Sequence, residues 1–253
     1  KNFNNILENS NFIKGKNNLL LEKKICKIFK CKYSLNVNSG TDALIIAIKS
    51  LNLKSKSQII TTSNTWISSA YAIELNDCKP VFVDVNPDTF QVDCNLIRKK
   101  INNKTKAIIV THLYGNPSNL NKICKIAKEK NLYIIEDIAQ AHLASYNNKI
   151  VGNFGDVSCL SFYPSKNLGA LGDAGNLITN SKKIYMNAVK FANYGSLNFK
   201  DKNHTTIGIN SRMDELQASF LLEKIKYLKS ETKKRIKLAN IYKKICKKIK
   251  IKT

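Results

Sequence analysis

The feature that most constrains this chain is a repeated alternation of short β-prone apolar runs with segments of helical periodicity. Runs at 34–37, 57–62, 80–85, 107–111, 132–135 and 157–162 read as strands. Around them, 14–29, 43–51, 70–75, 96–100, 120–130, 181–194, 213–228 and 232–249 carry apolar residues at helical spacing. Such alternation predicts an α/β fold with a mainly parallel sheet and right-handed crossovers. No internal repeat or low-complexity linker interrupts it, and 198–209 reads as a polar loop. With 253 residues the chain can build one large core, or one domain and part of another. No apolar run approaches the length of a bilayer span, and the opening residues lack a secretory pattern. The first residue is Lys1, so the true start is expected upstream.

Ligands of open α/β sheets bind beyond the carboxyl ends of the strands, so the residues just after each run are the candidates. The run 157–162 leads into SFYPSKNLGALGDAG, where Pro164, Gly169, Gly172, Asp173 and Gly175 make a turn-rich loop carrying Lys166. A lysine at the mouth of a sheet, held partly dry, loses basicity and becomes a nucleophilic amine. That chemistry suits a Schiff base with pyridoxal phosphate (PLP); the plain alternative is a solvated lysine in a lysine-rich chain. Asn38-Ser39-Gly40-Thr41-Asp42, ahead of helix 43–51, offers free backbone N–H groups to an anion, and Gly40 allows a phosphate close approach. An N-cap by Ser39 or Thr41 would explain the same residues. Trp66, the only tryptophan, follows run 57–62 and can stack on a flat cofactor or sit in the core. Run 132–135 ends in Glu136-Asp137. A carboxylate there is poorly solvated and stays charged only beside a cation: a protonated pyridine nitrogen, or a Lys or Arg. Asp137, Lys166, Trp66 and Gly40 all fall at one end of the expected sheet, and that convergence points to a PLP site.

The formal charge of +24 raises nucleic acid or an anionic membrane as partners. Arginine, whose fork reads bases and phosphates, occurs only at 98, 212 and 235, while lysines are spread over every segment. The charge therefore reads as a compositional bias on solvated faces, including that of 232–250, and no nucleic-acid or membrane partner is expected. Seven cysteines form no CxxC pair and three histidines have no metal-ligand spacing. No metal is expected, and the chain reads as cytoplasmic. His112 reads as structural; His142 and Tyr163 could touch a substrate or serve the core.

The blocks NVNSGTDAL, TTSNTWISSAYAI, PVFVDVNPDTFQVD, HLYGNPSNL, IIEDIAQAHLASY, SFYPSKNLGALGDAGNLIT and GINSRMDELQA run in that order through nearly the whole chain. Together they resemble the DegT/DnrJ/EryC1/StrS sugar-nucleotide aminotransferases, PLP enzymes of the aspartate-aminotransferase fold type I. The resemblance implies a three-layer α/β/α PLP-binding large domain over 1–230. Residues 231–253 would be only the start of a small C-terminal domain in a chain cut short. Lys166 resembles the lysine that holds PLP as a Schiff base, and Asp137 the carboxylate that pairs with the pyridinium nitrogen. Gln140 resembles the side chain lying against the ring, and Trp66 the stacking aromatic. Gly40 and Thr41, assisted by Ser161, resemble the phosphate binders. Asn210 resembles the residue that reaches the phosphate of the neighbouring subunit's cofactor, which implies a homodimer with shared active sites.

The reaction so implied moves an amino group from L-glutamate to a keto-sugar nucleotide. Lys166 would carry a proton between donor and cofactor, and Asp137 would keep the ring nitrogen protonated. The wording SFYPSKNLGALGD resembles members acting at C3 of a dTDP-3-keto-6-deoxyhexose. Related dehydratases carry histidine where Lys166 stands, so Lys166 favours transamination over deoxygenation. A non-catalytic regulatory or nucleic-acid-binding relative and an inactive remnant are the other readings. Leu143 departs from the family, which usually has glycine there.

Overall fold

The computed structural model describes residues 2–198 and 203–249. Its elements run α1 (Asn2–Glu8), α2 (Lys16–Phe29), β1 (Tyr33–Val37), α3 (Gly40–Ser50), β2 (Gln58–Thr62), α4 (Ser68–Glu74), β3 (Lys79–Val83), α5 (Cys94–Lys100) and β4 (Thr105–Thr111). They continue α6 (Leu120–Lys130), β5 (Tyr133–Asp137), β6 (Ser145–Tyr146), β7 (Lys149–Ile150), β8 (Val157–Ser161), β9 (Gly175–Thr179), α7 (Lys182–Ala192), α8 (Glu215–Lys224) and α9 (Leu228–Lys248). Every run read as a strand forms one. Helix α1, the short hairpin β6–β7 and strand β9 are not legible as periodic segments, because each is short and borders turn residues. Of the polar stretch expected over 198–209, residues 199–202 lie outside the described residues, as do 250–253 at the end of the expected small-domain segment. The domain boundary expected after residue 230 falls within the first turn of α9.

Seven strands form one sheet in the order β1-β9-β8-β5-β4-β2-β3, and only β9 runs against the rest. The strands are apolar throughout because consecutive side chains are buried on opposite faces. Ile60, Ile108, Ile134, Leu160 and Ile178 pack with α2, α5, α6 and α8. Their neighbours Ile59, Ala107, Ile135, Cys159 and Leu177 pack with α3, α4 and α7. The result is three layers, α/β/α. The starts of α3 and α6 are set by side-chain caps: Ser39 Oγ accepts the Asp42 N–H at 3.0 Å, and Asn119 Oδ1 accepts the Lys122 N–H at 3.2 Å. No described helix is long and apolar enough to cross a membrane.

This topology brings the chemistry-bearing segments together. Strands β4, β5 and β8 are parallel neighbours, so their carboxyl ends, at Thr111, Asp137 and Ser161, share one edge. The segment holding Lys166 connects β8 to antiparallel β9 across that edge, and its base is the Ser161–Gly175 pair.

Candidate active site

The first turn of α3 lies against that base. A Cβ on Gly40 would stand 2.6 Å from Ser161 Cβ, and one on Gly175 would stand 2.2 Å from the Ser39 carbonyl oxygen. Both glycines are therefore required by packing: they let the start of α3 sit directly on the β8–β9 pair, with Ser161 Oγ beside it. Ser39 is the cap, and the N–H groups of Gly40 and Thr41 have no carbonyl partner within the helix. Those N–H groups, the helix dipole and the Ser161 hydroxyl make a cup for an anion. The cap reading and the anion reading both hold, on different residues of one turn.

Lys166 is half-buried, and its N–H donates to the Tyr163 carbonyl at 2.8 Å. Its loop is also tied down by the Ala170 N–H on Phe162 O (2.7 Å), by Lys224 Nζ on Gly169 O (2.9 Å) and by Gln217 Oε1 on the Leu171 N–H (2.8 Å). Asp137 is buried, and its Oδ1 accepts the Ala139 N–H at 3.0 Å. Burial raises its pKa, and the Ala139 N–H, His112 and Lys166 only partly offset this. Such a carboxyl gains from a cation placed against it. Its neighbour Glu136 is fully buried but lies on the other face and needs nothing more. Its oxygens accept the N–H groups of Gly152 (2.9 Å), Phe154 (2.7 Å) and Gly155 (2.7 Å), and His112 Nε2 lies at 3.1 Å. Burial works against the Glu136 charge, but His112 and these N–H groups outweigh it and hold the pKa below the usual value. Ser118 donates its N–H to His112 Nδ1 at 3.1 Å, so the ring proton is on Nε2, facing Glu136. The structural reading of His112 stands.

Gly40, Thr41, Trp66, Asp137, Gln140, Ser161 and Lys166 line one cavity of about 520 Å³, within the roughly 300–1,000 Å³ of small-molecule sites. Trp66 is 73% exposed at its mouth, so the core reading of that residue is wrong. Gln140 is held toward the cavity by the Tyr114 N–H on its Oε1 at 2.9 Å. Asn210 is exposed and outside this cavity. It is next to Ser211, whose Oγ accepts the Asn38 N–H (3.2 Å) and donates to Asp42 Oδ2 (2.7 Å). Tyr163 lines the cavity, whereas His142 is buried behind Lys166 and faces a second, adjoining cavity. Thr65, Thr111 and Cys159 also line the site. Thr111 ends a central strand, a position that already marks it in the sequence. Leu143 has φ +64°, the left-handed region, which accounts for the family's glycine at this position.

The residues fit PLP. An anion cup, a buried carboxylate that lacks a cation, an exposed indole and a half-buried lysine surround one space, matching the phosphate, ring nitrogen, ring face and aldehyde of that molecule. Among the described residues no cluster of His, Cys, Asp or Glu is suited to a metal ion.

Comparison with known proteins agrees. The sequence profile of the DegT/DnrJ/EryC1/StrS aminotransferase family matches residues 1–253. The dTDP-3-amino-3,6-dideoxy-α-D-galactopyranose transaminase of Aneurinibacillus thermoaerophilus is 41% identical over 239 residues, 94% of this chain and 65% of its own length. A pleiotropic regulatory protein of Geobacillus stearothermophilus is 39% identical over 238 residues, 94% of this chain and 63% of its own. Among solved structures, NtdA of Bacillus subtilis with bound pyridoxamine phosphate aligns with a TM-score of 0.85 at 32% identity, over 90% of this chain and 52% of that one. The chain thus spans a little under two thirds of the length of the curated relatives it matches.

Proposed function

Because the chain belongs to the DegT/DnrJ/EryC1/StrS aminotransferase family, we propose that it binds PLP in the cavity at the carboxyl edge of the sheet and transfers an amino group from L-glutamate to a keto-sugar nucleotide. The observation that carries this reading is the meeting of Lys166, Asp137 and the α3 N-terminus in one cavity. The Gly40 and Thr41 N–H groups and the Ser161 hydroxyl hold the phosphate. Asp137 opposes the ring nitrogen and keeps a proton there. Trp66 and Gln140 bracket the ring. Bound PLP supplies an electron sink for the bonds at the donor's α-carbon. The Lys166 amine would be the base for the proton on that carbon.

The A. thermoaerophilus relative is named for a 3-amino sugar carried on dTDP. It supports a dTDP-3-keto-6-deoxyhexose as acceptor, aminated at C3. We also read the working unit as a cytoplasmic homodimer, with Asn210 of each subunit reaching the other's phosphate cup. In this reading residues 1–230 form the cofactor-binding domain and 231–253 begin a smaller one.

The test is a visible absorbance spectrum with PLP, before and after L-glutamate, for the wild type and Lys166→Ala. A band that needs Lys166 and is converted by glutamate is the expected result. Product analysis with 3-keto and 4-keto dTDP-sugars then fixes the position; amination of the 4-keto sugar alone would remove the C3 reading. A folded wild type with no band would leave a regulatory role, as the Geobacillus relative's name indicates, the better account.

A further inference from the structure

His142 lies in the segment after β5, 3% exposed, directly behind the Lys166 loop. Its Nδ1 accepts the Leu168 N–H at 3.3 Å, two residues past Lys166. Its ring packs on Phe162, before Lys166, with centroids 5.8 Å apart and planes at 56°. One imidazole thus touches the loop on both sides of the lysine. Accepting at Nδ1 puts the ring proton on Nε2. That nitrogen has no hydrogen-bond partner; the Ser161 carbonyl is near but outside hydrogen-bonding geometry. Burial, and then the Lys166 charge, push the His142 pKa down to about 4. The ring is neutral above that pH, and Nδ1 stays an acceptor.

We propose that His142 is a positioning residue for Lys166, fixing the height of the lysine turn over the cavity through the Leu168 N–H. The local bonds, Lys166 N–H to Tyr163 O and Ala170 N–H to Phe162 O, set the shape of the turn. They join parts of the loop to one another, and Lys224 and Gln217 tie its far half, at Gly169 and Leu171, to α8. His142 belongs to the β5 side, so its bond to Leu168 ties the loop to that frame. An imidazole does this better than a charged or flexible group, because its acceptor is rigid and, at this site, never protonated at neutral pH.

The proposal rests on the cofactor reading above, and the experiment separates the two. Wild type, His142→Phe and His142→Asn are compared in three ways. These are the dissociation constant for pyridoxamine phosphate, which has no aldehyde for Lys166 to engage, the rate at which PLP gives the Lys166-dependent band, and amide hydrogen exchange of 163–171 without cofactor. His142→Phe keeps the ring packing and loses the acceptor; the Asn side chain restores an acceptor. The expected result is unchanged pyridoxamine phosphate affinity in both variants. His142→Phe should show an approximately tenfold slower band and faster exchange at Leu168, both largely recovered in His142→Asn. If His142→Phe does not fold, His142→Met, with similar bulk and no strong acceptor, replaces it. A band at the wild-type rate in the acceptor-free variant overturns the proposal. So does a loss of pyridoxamine phosphate affinity in step with the band, which would mark a merely structural residue. A wild type that binds neither cofactor form sinks the cofactor reading itself.

Discussion

Three carboxylates are handled in three ways, and the differences lie in single contacts. Glu136 is satisfied by three N–H groups and an imidazole, whereas Asp137, one residue on, has a single N–H on Oδ1 and a raised pKa. Their position at a strand end is readable in the sequence. Which of the two faces the cavity follows from the pleat, which sends neighbours to opposite faces. The Glu136–His112 contact joins residues on different strands, and no local periodicity carries it. Glu22, half-buried on α2, is the third case. Burial raises its pKa to about 7, against the opposing pulls of the Asn36 N–H and Lys14. The folded state then holds the proton more tightly than the unfolded chain, whose glutamates titrate near 4.5. Its contribution is therefore most favourable below that value and is lost as pH rises toward 7. The loss amounts to no more than about 3 kcal/mol. Urea midpoints between pH 5 and 8 should fall with pH in the wild type relative to Glu22→Gln, in which this slope is absent. Equal slopes would show that Glu22 titrates normally.

At the scale of elements, the site is a junction between the start of α3 and the β8–β9 pair. Gly175 has no room for a side chain because the Ser39 carbonyl would lie 2.2 Å from its Cβ. Gly175→Ala must push α3 off the sheet, costing about 2–3 kcal/mol and carrying the anion cup away from Lys166. Denaturation midpoints and a pyridoxamine phosphate titration check this together: stability and affinity should both drop, the latter by at least about tenfold. The strands and α3 are legible because apolar alternation and the Ser39 cap are local signals. Strand β9 is not, since NLIT is short and follows a glycine-rich loop. Nor is the true cap of α2. Gly15 provides no side chain there, and the first N–H groups of that helix, on Gly15, Asn17 and Asn18, are taken by Glu215 from the first turn of α8. A partner 200 residues away in the chain leaves no trace in a short window.

At the scale of the molecule, Trp66, Ile67, Tyr71 and Leu75 are exposed around α4 beside the cavity mouth, while Ile207 and Tyr194 are exposed near Asn210. Apolar surface next to a site is what a second subunit would cover. If the sites are shared, Lys166→Ala and Asn210→Asp should each be inactive alone. Mixed and allowed to exchange, they should regain about one quarter of wild-type activity, since half the dimers are mixed and each has one intact site. No recovery, with exchange verified by sedimentation, would mean that each subunit works alone. The pairing of β1 with β9 bears on the molecule's history as well as its form. The second layer of the sheet's edge cannot close until about 140 further residues have left the ribosome, so folding must wait on a contact of high sequence separation. The anion cup, formed where the start of α3 sits on the β8–β9 pair, exists only once β9 is in place. A chain emerging during synthesis therefore has no cup for the cofactor's phosphate until β9 has joined the sheet, and uptake of the cofactor reports that closure.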